Sequence, residues 1–103
     1  GGYMALLSMC ALHAHLEAAR RTFVLMQDQG HAPDEDTYCY LLLCAVRARD
    51  DGAVAEFSSA LEAFKGRTTQ LGLHARMAYA QYLEEKGSAG KAKRVRELAE
   101  RRR

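Results

Sequence analysis

Tryptophan is missing from this chain, and proline occurs once, at Pro33. Few stretches alternate β-branched residues, whereas Ala, Leu, Glu and Arg dominate, which favours helix throughout. Long apolar runs are lacking too. The longest, around Leu41–Val46, falls far short of the ~18 residues a membrane span needs. No secretory signal is visible. The chain opens on "GGYMALL", without an initiator Met and already inside an apolar pattern, so it reads as a segment of a longer one. Its 103 residues, 49% of them hydrophobic, suffice for one small domain with a modest core.

Cysteine is also scarce. Cys10, Cys39 and Cys44 are odd in number and have no paired spacing, which suits a reducing compartment better than a disulfide scaffold. They read as small hydrophobes on buried helix faces. Cys10 and His13 stand at i and i+3, with His15 close by, but no C-x-x-C and no second histidine pair accompanies them. No metal or cofactor is expected.

Charge is present in quantity and unevenly placed. Residues 1–64 carry four basic and nine acidic side chains, and residues 65–103 carry eleven basic and four acidic. A net charge of only +2 therefore hides a strongly polarised chain.

Apolar spacing predicts six helices separated by turns. Tyr3, Leu6, Leu7 and Cys10 mark the first, which "HAH" (His13–His15) interrupts. Leu16, Ala19, Phe23 and Met26 form the stripe of the second. Gly30 ends it, and Pro33 cannot continue it. Asp34 is placed as an N-cap, with Glu35 and Asp36 in a first turn where the helix dipole favours negative charge. The third helix buries Tyr38, Leu41, Leu42 and Ala45 and ends at "RDDG". Val54, Phe57, Leu61 and Phe64 mark the fourth, "KGRTT" follows, and the fifth runs over about Gln70–Lys86. After "GSAG" the sixth turns Ala92, Val95, Leu98 and Ala99 inward.

These helices repeat in pairs. Tyr3, Leu6 and Leu7 return as Tyr38, Leu41 and Leu42, displaced by 35 residues. Leu16, Ala19, Phe23 and Met26 return as Val54, Phe57, Leu61 and Phe64, displaced by 38. The chain reads as a tandem array of helical hairpins over 1–34, 35–69 and 70–103. "GHAPD", Gly30–Asp34, is punctuated so sharply because it is a repeat boundary.

The aromatic and paired aliphatics of the first helix, the Leu–Ala–Phe–Met stripe of the second and the G-x-x-P-D boundary leading into Thr37-Tyr38 resemble a pentatricopeptide repeat. The match covers residues 3–38 nearly throughout and the next unit more loosely. The third unit is equally similar to a tetratricopeptide hairpin. The resemblance implies an all-α fold, a right-handed α-solenoid of about three helix-turn-helix hairpins, with first helices concave and second helices convex. It also implies RNA association in a mitochondrion or, as second choice, a chloroplast, one base being read per repeat. The reader positions fall at Met4 with Asp34, and at Cys39. Met4 and Cys39 lack the hydrogen-bonding chemistry of Asn, Thr or Ser, so a base code is not expected. Arg47 matches a position that carries a basic residue towards the phosphate.

The last helix, "KAKRVRELAERRR", is the richest source of phosphate contacts, with Lys93, Arg94, Arg96, Arg101, Arg102 and Arg103 expected to face outward or lie at its end. Enzyme signatures are lacking. His15-Leu16-Glu17 spells the H-x-E of the zinc deaminases attached to some family members, but no P-C-x-x-C follows. No P-loop, G-x-G-x-x-G or G-x-S-x-G occurs. His74, Tyr79 and Tyr82 share a helix at spacings typical of core. Two functions stay open. One is a non-catalytic component of an organellar ribonucleoprotein, such as a mitochondrial ribosome, that holds structured RNA, rRNA above all, through its cations. The other is a protein-interaction scaffold without RNA contact. Neither calls for a membrane or a small-molecule substrate.

Overall fold

The structure is a computed structural model and describes residues 2–103. The described residues form six α-helices and no strand: α1 (Gly2–His13), α2 (Leu16–Asp28), α3 (Glu35–Ala48), α4 (Asp51–Leu61), α5 (Gln70–Glu85) and α6 (Ala89–Arg101).

Local chemistry sets most of the boundaries. Past α1, Ala14 takes the left-handed conformation at φ 57°, and the His15 amide donates back to the Cys10 carbonyl at 2.9 Å. Gly30, at φ 83°, plays the same part past α2, where the His31 amide reaches the Met26 carbonyl. Asp34 then caps α3. Its carboxylate accepts the Thr37 amide at 2.9 Å, and the Thr37 hydroxyl accepts the Asp34 amide in return, so two otherwise orphaned donors are satisfied. Asp50 caps α4 and Thr69 caps α5 in the simpler one-bond form. At the start of α6 Ser88 makes no side-chain cap.

The helices pack as hairpins, α1 on α2, α3 on α4 and α5 on α6, while α1, α3 and α5 also pack side by side with α3 in the middle. Bonds between hairpins recur at close to one repeat length. Arg47 donates to the Ala11 carbonyl, and Arg20 and Arg49 pair with Glu56 and Glu85, each across 36 residues. Phe23, Tyr38, Phe57 and Phe64 join edge to face or tilted, at centroid distances of 5.7, 6.4 and 6.0 Å.

Two expectations need correction. Tyr38 and Phe23 are only half-buried, packed against the core beside Phe57, which takes the buried place in the aromatic cluster. Leu98 does not face the core and is 44% exposed. α6 approaches α5 through the small residues Ala92 and Ala99, which are buried, and this turns Leu98 towards a gap in front of α4. Leu6 differs from its repeat partner in the same way. It is 53% exposed where Leu41 is fully buried, because among the described residues no helix packs on that side of α1 as α1 packs on α3.

Leu42→Ala, which opens a cavity against α3's neighbours, should cost about 2–5 kcal/mol in urea unfolding, and Phe23→Ala should cost less than Leu42→Ala. Ala14→Gly should stabilise the chain by about 1 kcal/mol, since it removes a Cβ from a left-handed backbone.

Candidate anion-binding cleft

The gap in front of Leu98 is a cleft of about 360 Å³ between α4 and α6. Its floor is laid by the first-helix layer, with Leu42 from α3 and Arg76 and Tyr79 from α5. One wall is the end of α4 and the turn after it, with Ser58, Leu61, Glu62 and Lys65. The other is a single face of α6, where Lys91, Arg94, Val95, Leu98 and Arg102 recur at helical spacing.

The cleft exists because α4 and α6 do not pack on one another as α3 and α4 do. α2 and α4, by contrast, are joined by the Arg20–Glu56 pair at 3.0 Å and by Phe23 against Phe57. At one end the two walls are bridged. The segment from Phe64 to Thr69 crosses to the C-terminus of α6, where the Thr68 amide donates to the Arg102 carbonyl at 2.6 Å. Arg67 Nε donates to the Arg103 carbonyl, and an Arg102 Nη donates to the Phe64 carbonyl. Towards the other end it widens into a second hollow that shares Ser58, Glu62, Tyr79 and Lys91 and is bordered by the Asp51–Lys86 pair.

Five cations therefore border this space, against one acid, Glu62. Arg76 is 9% exposed and is neutralised by Glu35, whose Oε2 lies 3.1 Å from its Nη1. That pair ties the first turn of α3 to α5. It also leaves little room at Gly72, where a Cβ would stand 2.8 Å from Arg76 Nη1, 3.1 Å from Thr69 Oγ1 and 3.3 Å from Glu35 Oε2, so the pair would have to shift. Lys65, Lys91 and Arg94 form no ion pair among the described residues. Glu62 is the one acid beside them, so the positive charge is in excess, and a part-enclosed cleft weakens the screening that exposed charges receive from water.

The cations singled out in the sequence have separate fates. Of these, Arg94, which is exposed, and Arg102, at the end of α6, line the cleft. Arg96 pairs with Glu84 of α5, and Arg103 pairs with Glu100 at 3.0 Å. Lys93 and Arg101 are exposed, with no ion pair among the described residues. Arg47 donates to the Ala11 carbonyl at 2.9 Å, so it caps the C-terminal end of α1. Three cleft cations, Lys65, Arg76 and Lys91, are not singled out in the sequence, although Lys91 belongs to the basic run of the last helix. Lys65 stands in a turn, Arg76 interrupts an apolar helix, and Lys91 begins a basic run.

The base-reader positions are occupied by structural work. Cys39 is fully buried, and burial pushes its thiol up to about 12. Asp34 is held in its capping box, and Met4 Sδ lies 3.8 Å from the Thr37 hydroxyl that completes it. Cys39 is thus out of reach of a base and Met4 offers only its thioether, while Asp34 Oδ1 is engaged in the cap.

Other constellations read from the sequence do not assemble. Cys10 is buried, while His13 and His15 are exposed. Among the described residues no group of three or more His, Cys, Asp or Glu could hold a metal ion. His74 is exposed, whereas Tyr79 and Tyr82 are buried, with Arg49 and Lys86 5.5 and 5.6 Å from the Tyr82 ring. No protein-family model, curated protein or solved structure matches the chain.

Glu35→Ala should cost about 3 kcal/mol, because it leaves the Arg76 guanidinium buried without its partner. Gly72→Ala should destabilise the intact chain and cost less once Glu35 is gone, and a double-mutant cycle in urea measures that coupling. Cys39 and Cys44, the latter pushed up to about 11 by burial, should resist iodoacetamide at pH 8 until the chain is unfolded.

Proposed function

We propose that the chain is a non-catalytic, RNA-associated helical-repeat protein of an organelle, part of a ribonucleoprotein such as a mitochondrial ribosome. It contacts structured RNA through phosphate groups. One observation carries the reading: Lys65, Lys91 and Arg94 converge on one cleft and form no ion pair among the described residues. Cations left unpaired in a fold are the electrostatic footprint of a polyanion, and phosphate contact needs no base specificity. Lys93 and Arg101 extend the positive surface beyond the cleft. The pentatricopeptide resemblance of residues 3–38 supports the same conclusion. So does the stacking of α1, α3 and α5 in one layer, which suits a right-handed α-solenoid. In such a solenoid α4 and α6 are convex. RNA then lies against the outside, and the occupied reader positions on α1 and α3 are no obstacle.

A second reading, a protein-interaction scaffold, rests on a different surface. Leu6, Met9 and Leu12 share one exposed face of α1, at 53, 54 and 63%. In α3 the equivalent positions, Leu41, Cys44 and Arg47, face the preceding hairpin, where Cys44 Sγ and Arg47 reach the Cys10 and Ala11 carbonyls. The α1 face is therefore in register to receive another helical hairpin.

Fluorescence anisotropy with a labelled RNA hairpin separates the two readings. RNA association requires binding whose affinity falls steeply with salt. Lys91→Gln with Arg94→Gln should lower the slope of log K against log salt by about 2, roughly one for each phosphate no longer neutralised. Absence of binding at low salt sinks the RNA reading and leaves the α1 face as the functional surface.

A further inference from the structure

The two walls of the cleft are joined at the end where Lys65 and Arg102 stand, and that bears on which part of an RNA it can take. Resting on the RNA reading above, we infer that it holds the terminal nucleotide of a strand, with the end phosphate among Lys65, Arg94 and Arg102. A groove that follows a continuous strand must be open at both ends. Here the Phe64–Thr69 segment is bonded to the C-terminus of α6 by the Thr68 amide, Arg67 Nε and Arg102, which bridges the two walls at one end. A strand can enter from the wider end and stop, but it cannot pass through.

The charges favour an end phosphate as well. A phosphate monoester carries about −1.5 to −2 at neutral pH, where an internal phosphodiester carries a single negative charge. Several cations facing one small space therefore reward the monoester more. Arg102 spends one of its five N–H donors on the Phe64 carbonyl and keeps the rest. The size agrees. A volume of about 360 Å³ lies at the low end of the ~300–1,000 Å³ typical of small-ligand sites, enough for a nucleotide and too little for a folded segment. Leu98, 44% exposed above the buried Leu61 and Tyr79, supplies an apolar surface for the face of a base.

The test uses the whole chain and one RNA hairpin with a short single-stranded overhang, labelled in its loop. The RNA is made with a 5′-phosphate, with a 3′-phosphate and with hydroxyls at both ends. One phosphorylated form should bind about tenfold tighter than the hydroxyl form, the gain expected of a charge-assisted hydrogen bond. Lys65→Ala should abolish that preference, and Glu62→Gln, which removes the one acid facing the cleft, should enlarge it. Circular dichroism checks that both variants fold. Equal affinity of all three RNAs overturns the terminal-nucleotide site and leaves general RNA association standing. Failure of every RNA to bind at low salt overturns the RNA reading itself. Competition by uridine monophosphate as effective as by the phosphorylated RNA assigns the cleft to free nucleotides and overturns the strand-end site.

Discussion

Burial of α3 on every side is the constraint from which the rest of this molecule follows. Leu41 to Ala45 are five consecutive buried residues, so the helix has no solvent face over more than a turn. α1, α2, α4 and α5 all pack against it. Such a helix must satisfy its polar groups internally, which accounts for the capping box at Asp34 and for the thiols of Cys39 and Cys44 in place of hydroxyls. It also explains why Met4, Asp34 and Thr37 are locked together, since they close the junction where the chain enters its most buried element.

α6 stands outside this arrangement. It packs mainly on α5, touching it through alanines, and is held further by the Arg96–Glu84 pair and the bonds from the Phe64–Thr69 segment. Because its partner layer is thin, it leaves space in front of α4 instead of filling it. The cleft is thus a consequence of how few large apolar side chains α6 brings to the interface. Its walls take their charge from the same composition, since a helix poor in apolar residues is here rich in Lys and Arg.

The cations divide by what lies within reach. Arg47 completes a helix end, Arg76 answers Glu35, and Arg96 and Arg103 answer neighbouring glutamates. Those charges are used within the fold, and exposed pairs such as Arg49–Glu85 contribute little to stability. Lys65, Lys91 and Arg94 form no ion pair among the described residues and share one concave surface with a single acid, Glu62, so the field of several like charges is only partly cancelled. The repeat pattern gives no warning of this, because the third hairpin departs most from the first.

Periodicity and turn chemistry determined the number and order of the helices, the hairpin pairing and the break at Gly30–Asp34. All of these depend on contacts within a few residues or on the identity of Gly, Pro and Asp. The stacking of like helices was legible through the repeat of Tyr3, Leu6 and Leu7 at Tyr38, Leu41 and Leu42. Only the tertiary structure decided that Leu6 is exposed while Leu41 is buried, since that depends on whether another helix lies beyond. It alone decided that Leu98 faces a cleft, and which cations are neutralised and which remain free. Arg76 and Glu35 are 41 residues apart, and Lys65 meets Arg94 across a gap whose width α5 sets. Pairings over such distances depend on how the hairpins pack, which local spacing does not encode.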